Sequence, residues 1–326
     1  MLDSFGRNID YLRFSVTDRC DLRCRYCMPE KTSFSQKKDM LDLNQLKKLA
    51  DVLIKVGIKK IRITGGEPFV RKDIISFLEY LFVYKKKQLL NEITLTTNGT
   101  LLEKYAEKLK HNGIERLNVS IDSLIPEKYS FITNGGILDN VLKGIDKAKT
   151  LGIRIKINVV LLKNFNEDEI ISLINWSAKN GFNISFIEIM PLGEIKYSRD
   201  SQYIPVSVAK KIIENHYPLI SCDYSTNGPS KYYKTQAFSS LIGFISPISN
   251  HFCESCNRIR ITSNGILYSC LGHESATNLK ISLEKNNIEE VERKIKNSIK
   301  KKPEKHFFNI NEKDPAVKRF MSFTGG

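Results

Sequence analysis

The sequence predicts an α/β protein built on an incomplete (βα)6 barrel of the TIM type, and three observations lead to that fold class. Six apolar segments of strand length recur in the first 190 residues of a 326-residue chain. Segments with helical periodicity lie between them. Such alternation produces a parallel sheet with right-handed crossovers. Because six units are too few to close an eight-stranded barrel, we expect the barrel to be open.

The six predicted strands are rich in Ile, Val, Leu and Phe. They are Asp10 to Val16, Lys59 to Thr64, Glu92 to Thr97, Arg116 to Asp122, Arg154 to Leu161 and Asn183 to Ile189. The predicted helices are clearest before Gly57, Gly152 and Gly181, where apolar residues share one face and the glycine ends the run. In parallel β/α folds the chemistry lies at the carboxyl ends of the strands, so we expect the site there.

We divide the chain into a barrel domain up to about residue 230 and a smaller C-terminal domain, residues 231–326, that closes the open side. The turn residues Asn227, Gly228, Pro229 and Ser230 suggest the boundary.

Hydrophobic residues make up 41% of the chain, which is typical of a globular protein. No apolar run approaches the roughly 18 residues of a membrane span, and the N-terminus lacks an apolar signal region. We expect a cytoplasmic protein without a membrane partner.

The chain is basic, with 51 Lys and Arg against 36 Asp and Glu and a formal net charge of +15. This charge suggests an anionic partner: nucleic acid, anionic lipid or a phosphorylated small ligand. We interpret the lysine runs Lys85–Lys87 and Lys300–Lys302 as solvated faces. Many arginines instead lie near the motifs described below, and arginine suits bidentate contacts to phosphate. The pattern favours a small phosphorylated ligand over nucleic acid.

The seven cysteines form two groups of three and one single residue. They are Cys20, Cys24 and Cys27, then Cys253, Cys256 and Cys270, and Cys222 alone. Structural zinc sites and ferredoxin clusters take four ligands, whereas each group here offers three. Zinc remains an alternative at the second group, because His251 and His273 are near it in sequence. Three ligands on a cubane leave one iron open for a substrate or cofactor.

The C-x-x-x-C-x-x-C spacing of the first group, with Tyr26 before its last cysteine, resembles the radical S-adenosylmethionine (SAM) superfamily. In that superfamily the open iron of a [4Fe–4S] cluster chelates SAM, and electron transfer releases a 5′-deoxyadenosyl radical. The sequence context agrees with the resemblance. The predicted strand Lys59–Thr64 runs into Gly65-Gly66-Glu67-Pro68, a turn with which the superfamily holds the amino group of SAM.

Within that superfamily the chain is similar, over essentially its whole length, to the GTP 3′,8-cyclases of molybdenum cofactor biosynthesis. The segments that carry this resemblance are Arg13–Cys20, Ile61–Pro68, Leu95–Gly99, Asn118–Asp122, Lys156–Val160, Phe186–Met190, Cys253–Arg260 and Gly325–Gly326. The C-x-x-C-x-R-x-R segment and the di-glycine end are the discriminating features. At Ser185, where the family more often has Arg, the chain departs from the pattern.

The resemblance implies roles for the matching residues. Two [4Fe–4S] clusters would be held by Cys20, Cys24 and Cys27 and by Cys253, Cys256 and Cys270, the second with an open iron that binds guanine. Contacts to SAM would come from Tyr26, Gly66, Glu67, Ser120 and Met190. Contacts to GTP would come from Arg13, Arg62, Thr96, Lys156, Arg258 and Arg260. The catalytic residues would be Arg258, Arg260, Gly325 and Gly326, the last two as a tail inserted near the site.

The implied activity is that of a lyase that converts GTP to (8S)-3′,8-cyclo-7,8-dihydroguanosine 5′-triphosphate, the first step of molybdenum cofactor biosynthesis. The resemblance also implies an electron donor, a homodimer, no nucleic-acid partner, and cyclic pyranopterin monophosphate synthase as the enzyme that takes the product.

Two rival interpretations stay open. A peptide-modifying radical enzyme generally has more C-terminal cysteines, and a cluster- or zinc-dependent nucleic-acid-binding protein would suit the charge but not a cysteine group at a strand end.

Overall fold

A sheet of twelve strands runs through the protein. The computed structural model describes residues 1–195, 199–226, 228–312, 315 and 317–326. The strands are β1 (Tyr11–Ser15), β2 (Lys60–Thr64), β3 (Glu92–Thr97), β4 (Arg116–Ser120), β5 (Arg154–Leu161), β6 (Asn183–Glu188), β7 (Ile220–Ser221), β8 (Lys231–Lys234), β9 (Ile242–Ile245), β10 (Arg258–Ile261), β11 (Ile266–Tyr268) and β12 (Ala276–Asn278). The first six strands match the six predicted ones to within two residues at each end.

The sheet order is β12-β11-β10-β1-β2-β3-β4-β5-β6-β9-β8-β7. The eight strands from β10 to β9 are parallel to their neighbours. Antiparallel strands extend both ends, β11 and β12 beyond β10 and β8 and β7 beyond β9. Over the described ranges β7 and β12 form the two ends of the sheet and do not pair. The predicted incomplete barrel is therefore confirmed.

Helices connect the parallel strands and cover one face of the sheet. They are α1 (Leu43–Lys55), α2 (Ile74–Lys86), α3 (Leu102–His111), α4 (Pro126–Thr133), α5 (Leu138–Thr150), α6 (Ile170–Lys179), α7 (Arg199–Gln202), α8 (Val206–Glu214), α9 (Lys280–Glu284), α10 (Ile288–Lys300) and α11 (Met321–Thr324). In α1 the apolar stripe is buried, and Asp42 caps the first turn by accepting from the backbone N–H of Gln45. Among the described residues, no helix is both long and apolar enough to cross a bilayer.

The two faces of the sheet differ in chemistry. Leu12 and Phe14 of β1 belong to the apolar core beneath the helices. Because side chains alternate along a strand, Arg13 points to the opposite face. The register places Arg13 between Arg62 of β2 and Arg260 of β10. Three arginines from distant parts of the chain thus lie side by side at one level of the sheet.

The C-terminal region joins the sheet on both sides of the six-stranded barrel. Strand β9 pairs with β6, and β10 pairs with β1. Helix α10 also packs on α1, where Lys55 and Glu292 form an ion pair of 2.9 Å. Of the turn residues that suggested a boundary, Asn227 lies outside the described residues. The division near residue 230 stays a prediction.

Candidate active site

One cavity brings together the residue groups that the sequence singled out. All six cysteines of the two groups line its wall. The same wall includes Arg13, Tyr26, Arg62, Gly66, Thr96, Ser120, Lys156, Met190, Arg258, Arg260 and Gly326. Glu67 and Gly325, the remaining predicted residues, are not part of this lining. The inner face of the sheet therefore carries a common site for both cysteine groups and the basic residues.

The first cysteine group lies in the loop after β1. Its three thiols are free and partly buried. Burial raises the pKa of the Cys20 and Cys24 thiols, and it raises the pKa of Cys27 to about 11. The bare thiols therefore hold their protons, and bound iron is what would favour the thiolate form.

The sulfur atoms of the two cysteine groups are not arranged around a point where a single ion would bind. Over the part of the chain that the structure describes, the three ligand atoms that meet within 4.8 Å belong to His251, Cys253 and His306. The three sulfur atoms of each cysteine group do not meet within this distance. Sulfur ligands of a single zinc ion would do so. An iron–sulfur cluster takes cysteine sulfurs as ligands at separate irons. The donor set of each group fits such a cluster.

The zinc alternative involves a different histidine from the one the sequence suggested. His273 Nε2 bonds to the carbonyl oxygen of Lys305 at 2.9 Å, away from the cysteines. His306 instead lines the cavity, and its Nε2 lies 3.3 Å from His251 Nδ1. Burial, together with the neighbouring His251, lowers the pKa of His306 to about 4. The rings of His251 and His306 thus face Cys253.

Glu67 is placed differently from what its predicted role in SAM binding suggests. Its side chain is fully buried, and the carboxylate accepts hydrogen bonds from the Thr97 hydroxyl and the backbone N–H groups of Phe69 and Asn98. These contacts join the ends of β2 and β3. Two other carboxylates lie beside the first cysteine group: Asp122 accepts from the Tyr26 hydroxyl at 2.7 Å, and Asp21 lies 3.8 Å from Cys20 Sγ.

The glycine turn after β2 is required by its contact with the cysteine loop. A Cβ atom on Gly66 would lie 2.3 Å from the carbonyl oxygen of Arg19, and one on Gly65 would lie 2.5 Å from that of Thr17. Backbone atoms leave such a clash no easy relief. The turn therefore packs directly against the segment that leads into Cys20, which explains why two glycines follow this strand.

Five basic side chains converge on the cavity from four strands. They are Arg13, Arg62, Lys156, Arg258 and Arg260. Burial lowers the pKa of each of Arg13, Arg62, Lys156 and Arg260, to about 9 for Arg13, and repulsion from neighbouring basic residues adds to the effect at Arg13, Lys156 and Arg260. In the described parts of the chain none of the five forms an ion pair with a carboxylate. By contrast, Arg116 at the edge of this group pairs with Glu92 at 2.7 Å.

The second cysteine group lies next to β10. Burial by itself raises the pKa of a thiol, but the charges of Arg258 and Lys302 outweigh it and lower the pKa of Cys256 to about 6. Lys302 is 3% exposed. The interpretation of Lys300–Lys302 as a solvated run is therefore wrong for Lys302, because the chain turns inward after α10 and carries this side chain into the cavity wall.

The C-terminal tail enters the same cavity. Arg260 Nη1 donates to the carbonyl oxygens of Thr324, at 3.2 Å, and Gly325. Gly325 has a φ of +79°, and a Cβ there would lie 1.7 Å from Thr64 Oγ1. Gly326 lines the cavity. The tail thus reaches the cavity wall at Gly326, and glycine is required at position 325 for its approach to Thr64.

Several residues in the wall escaped the sequence analysis. The cavity also includes Thr64, Asn158, Arg199, Lys302 and His306. The Thr64 hydroxyl and the Asn158 side-chain oxygen are buried without a hydrogen-bond partner among the described residues, which suits a ligand-binding wall. Ser185, the departure from the family pattern, bonds to Ser230 at 2.8 Å. Strand-end position was the one signal for Thr64, and Asn158, in the middle of β5, had none.

Family models match both parts of the chain. A model of the radical SAM superfamily matches residues 14–177, about half of the chain. A model described as Molybdenum Cofactor Synthesis C matches residues 182–308. The second match includes the second cysteine group.

Curated relatives match the chain from end to end. A GTP 3′,8-cyclase of Nitrobacter winogradskyi is 45% identical over 328 residues, covering 100% of this chain and 96% of the relative. A GTP 3′,8-cyclase of Brucella canis is also 45% identical, over 329 residues and with the same coverage.

Solved structures share the fold at low sequence identity. Streptococcus suis SuiB bound to S-adenosylmethionine has a TM-score of 0.62 at 17% identity, covering 97% of this chain and 77% of that one. The enzyme anSMEcpe with bound AdoMet has a TM-score of 0.52 at 20% identity, covering 63% of this chain and 56% of that one. At such identities these likenesses establish the fold alone.

Proposed function

The chain belongs to the GTP 3′,8-cyclase family of radical SAM proteins, which use SAM and an iron–sulfur cluster, and from this premise we propose that it is a lyase converting GTP to (8S)-3′,8-cyclo-7,8-dihydroguanosine 5′-triphosphate. We also propose two [4Fe–4S] clusters, one on Cys20, Cys24 and Cys27 and one on Cys253, Cys256 and Cys270. When bound at the first group, the cluster and SAM supply a 5′-deoxyadenosyl radical.

The observation that carries the proposal is a group of five basic side chains on the strands, without carboxylate partners among the described residues, in a cavity shared by both cysteine groups. Burying positive charge without a counter-ion is costly. A triphosphate of about four negative charges would relieve the repulsion among these side chains through charge-assisted hydrogen bonds. A neutral peptide or a methyl acceptor would not, so this charge pattern favours a nucleoside triphosphate.

The register of the β-strands supports different roles for these basic side chains. Arg13, Arg62 and Arg260 lie at one level of the sheet, where they present adjacent guanidinium groups to phosphate. Arg258 is two residues from Cys256, so it holds the substrate beside the second cysteine group. Such anchoring matters because a primary carbon radical abstracts the hydrogen that lies nearest to it.

Around the first cysteine group, we propose that Tyr26, Gly66, Ser120 and Met190 contact SAM, since all four line the cavity there. Glu67 acts on this site through the turn that it holds, because its carboxylate is occupied by hydrogen bonds from β3 and the following turn. Thr96 completes the proposed GTP contacts. Its buried hydroxyl has no partner among the described residues.

Arg260 and the tail form the remaining part of the proposed catalytic centre. The hydrogen bonds from Arg260 hold the backbone of Gly325 against Thr64, and Gly326 covers the cavity beyond it. We propose that this tail excludes water from the substrate radical and keeps Arg260 directed at the substrate. A side chain at either position would occupy that space.

The test is anaerobic reconstitution of the iron–sulfur content, reduction, and addition of SAM with GTP deuterated at C3′. The proposed product is an isomer of GTP, so it is separated by chromatography before mass spectrometry. We expect 5′-deoxyadenosine that carries one deuterium and a new species with the mass of unlabelled GTP, because one electron and one proton replace the transferred deuterium. Deoxyadenosine formed equally with ATP or with no nucleotide would contradict the proposal and point to another substrate, such as a peptide.

Two variants separate the roles of the cysteine groups. Cys24→Ser should abolish deoxyadenosine formation. Cys256→Ser should retain SAM cleavage but lose the cyclised product, because the substrate is no longer held beside the second site. Cys222→Ser is the matched control, since Cys222 lies outside the cavity wall and bonds to the carbonyl of Tyr232.

The product also defines the proposed partners. A cyclised dihydroguanosine triphosphate is consumed by an enzyme that rearranges it, which the family resemblance identifies as cyclic pyranopterin monophosphate synthase. Reductive cleavage of SAM and reduction of the substrate radical each take an electron from a donor protein. A homodimer and a cytoplasmic location stay predictions.

A further inference from the structure

Lys302 is a buried lysine that holds the backbone around the second cysteine group. Its Nζ donates to the carbonyl oxygen of Arg258 at 3.0 Å and to that of Ser269. These carbonyls lie two residues after Cys256 and one residue before Cys270. The side chain is 3% exposed and forms part of the cavity wall. One ammonium group thus joins two of the three cysteine segments.

Two arginines bond to this region in a similar way, but both are neutralised. Arg7 donates to the carbonyl of Cys253 at 2.9 Å and pairs with Asp3 at 2.6 Å. Arg319 donates to the carbonyl of Cys270 at 3.4 Å and pairs with Glu274 at 2.7 Å. Lys302 has carbonyl partners and, within the described ranges, no carboxylate at ion-pair distance. It therefore adds a net positive charge that the arginines do not.

Among the described residues, the other cations without a carboxylate partner whose charges act on Cys256 are Arg258, Arg13 and Arg260, and all three contact GTP in the proposed function. The phosphates therefore offset their charges when substrate is bound. His306 Nε2 lies 3.3 Å from His251 Nδ1, within hydrogen-bond distance. With substrate in place, Lys302 is the charge that remains at this end of the cavity.

We propose that Lys302 is a positioning residue of the second cysteine site, whose fixed ammonium charge offsets the negative charge of the three thiolates and raises the reduction potential of the cluster they hold. This inference rests on the proposed second cluster. The physical reason is that the potential of a cysteine-bound cluster depends on net charge, hydrogen bonding and solvent exposure. A buried positive charge favours the more reduced state, because little water screens it.

The experiment uses the full chain with the first group removed by Cys20→Ser, Cys24→Ser and Cys27→Ser, so that any cluster signal comes from the second group. In this background we compare Lys302→Gln, Lys302→Arg and Lys301→Gln. Gln keeps a hydrogen-bond donor but not the charge, whereas Arg keeps both. Lys301 is the exposed neighbour and serves as the matched control. The readouts are iron per chain and the midpoint potential from an EPR-monitored redox titration.

We expect a lower midpoint potential in Lys302→Gln and no shift in Lys301→Gln, with Lys302→Arg close to the background protein. Loss of iron in Lys302→Gln but not in Lys302→Arg supports the same conclusion, since the two differ in charge. The inference is overturned if Lys302→Gln and Lys302→Arg have the same midpoint potential and the same iron content as each other. Loss of iron in both also overturns it, because the lysine shape rather than its charge is then required.

The same experiment distinguishes a failure of the proposed function from a failure of the inference about Lys302. If the background protein with an intact second group binds no iron, the second cluster itself is absent and the proposed function is wrong on that point. If it binds a cluster whose potential does not respond to position 302, only the role of Lys302 fails.

Discussion

Single buried charges decide the chemistry of the cavity. Lys156 is 6% exposed, lies over the ring of Tyr232 at 5.0 Å, and faces Arg62 and Arg13. Burial is the main reason that its pKa lies well below the ordinary value of lysine, and the nearby arginines lower it further. A phosphate group would restore the charged form. Lys156 should therefore contribute strongly to GTP affinity.

We predict that Lys156→Met weakens GTP binding about 10- to 100-fold, because a hydrogen bond to a charged group contributes about 1.5–3 kcal/mol. The measurement is anaerobic calorimetric titration with GTP. Lys163→Met is the control, since Lys163 follows the same strand but is exposed and outside the cavity. Equal affinities in the two variants would remove Lys156 from the proposed substrate contacts.

Asp122 makes the stability of the protein depend on pH. Burial is the largest cause that raises the pKa of its carboxyl from 3.8 to about 6, against hydrogen bonds from the Val160 N–H and the Tyr26 hydroxyl. A carboxyl with a higher pKa in the folded state stabilises the fold when protonated. Its contribution is complete below about pH 4 and is lost as the pH rises through 6.

We predict that Asp122→Asn removes this dependence, because the amide stays neutral. Relative to the variant, the wild-type free energy of unfolding should fall by about 2 kcal/mol between pH 4 and pH 7. The measurement is denaturant unfolding of the metal-free protein across that range. Asp139→Asn, at an exposed position on α5, is the control. Parallel curves for wild type and Asp122→Asn would contradict the prediction.

At the scale of elements, turns and ends bring the functional groups together. The glycine turn after β2 packs on the cysteine loop, and the tail that follows α11 packs on Thr64 of the same strand. One strand end thus supports both the proposed SAM site and the C-terminal glycines. The sequence predicted each element, but not that they meet at a common strand.

We predict that deleting Gly325 and Gly326 abolishes cyclisation without loss of iron from the two proposed cluster sites, because these glycines contact Arg260 and Thr64. Iron per chain and product formation are measured on the same preparation. Gly325→Ala should reduce activity too, since its Cβ would overlap Thr64 Oγ1 and its φ of +79° disfavours alanine. Unchanged turnover after the deletion would contradict the proposed requirement of the tail for cyclisation.

For the molecule as a whole, the sheet makes the two parts of the chain interdependent. Strand β10 covers the edge of β1, and β9 covers the edge of β6. Without them, the six-stranded barrel would present two open edges and the apolar surface beneath α10. The two parts therefore act together in folding, even though the family models divide the chain.

We predict that residues 1–230 alone do not unfold cooperatively, whereas co-expression with residues 231–326 restores a cooperative transition. Thermal unfolding followed by circular dichroism distinguishes the two cases, and hydrogen exchange in β1 and β6 shows whether the strand edges are protected. A sharp transition in the isolated fragment would instead establish residues 1–230 as an independent domain.

Much of the fold was predictable because its signals are local. Strand-length apolar runs alternate with helical periodicity, and the six barrel strands follow from them almost to the residue. The pairing of β10 with β1 was not predictable in this way. Some 240 residues separate the two strands, and short strands such as β10 carry little periodic signal of their own.

The sequence by itself determined the order of the β/α units, the two cysteine groups and the family to which the chain belongs, because spacing and periodicity are properties of neighbouring residues. Only the tertiary structure decided that Glu67 is enclosed by β3 while Asp122 meets Tyr26, and that Lys302 is buried while Lys301 is exposed. Burial and electrostatic potential arise from contacts between distant segments. Two adjacent lysines with the same local sequence therefore have different surroundings and different chemistry.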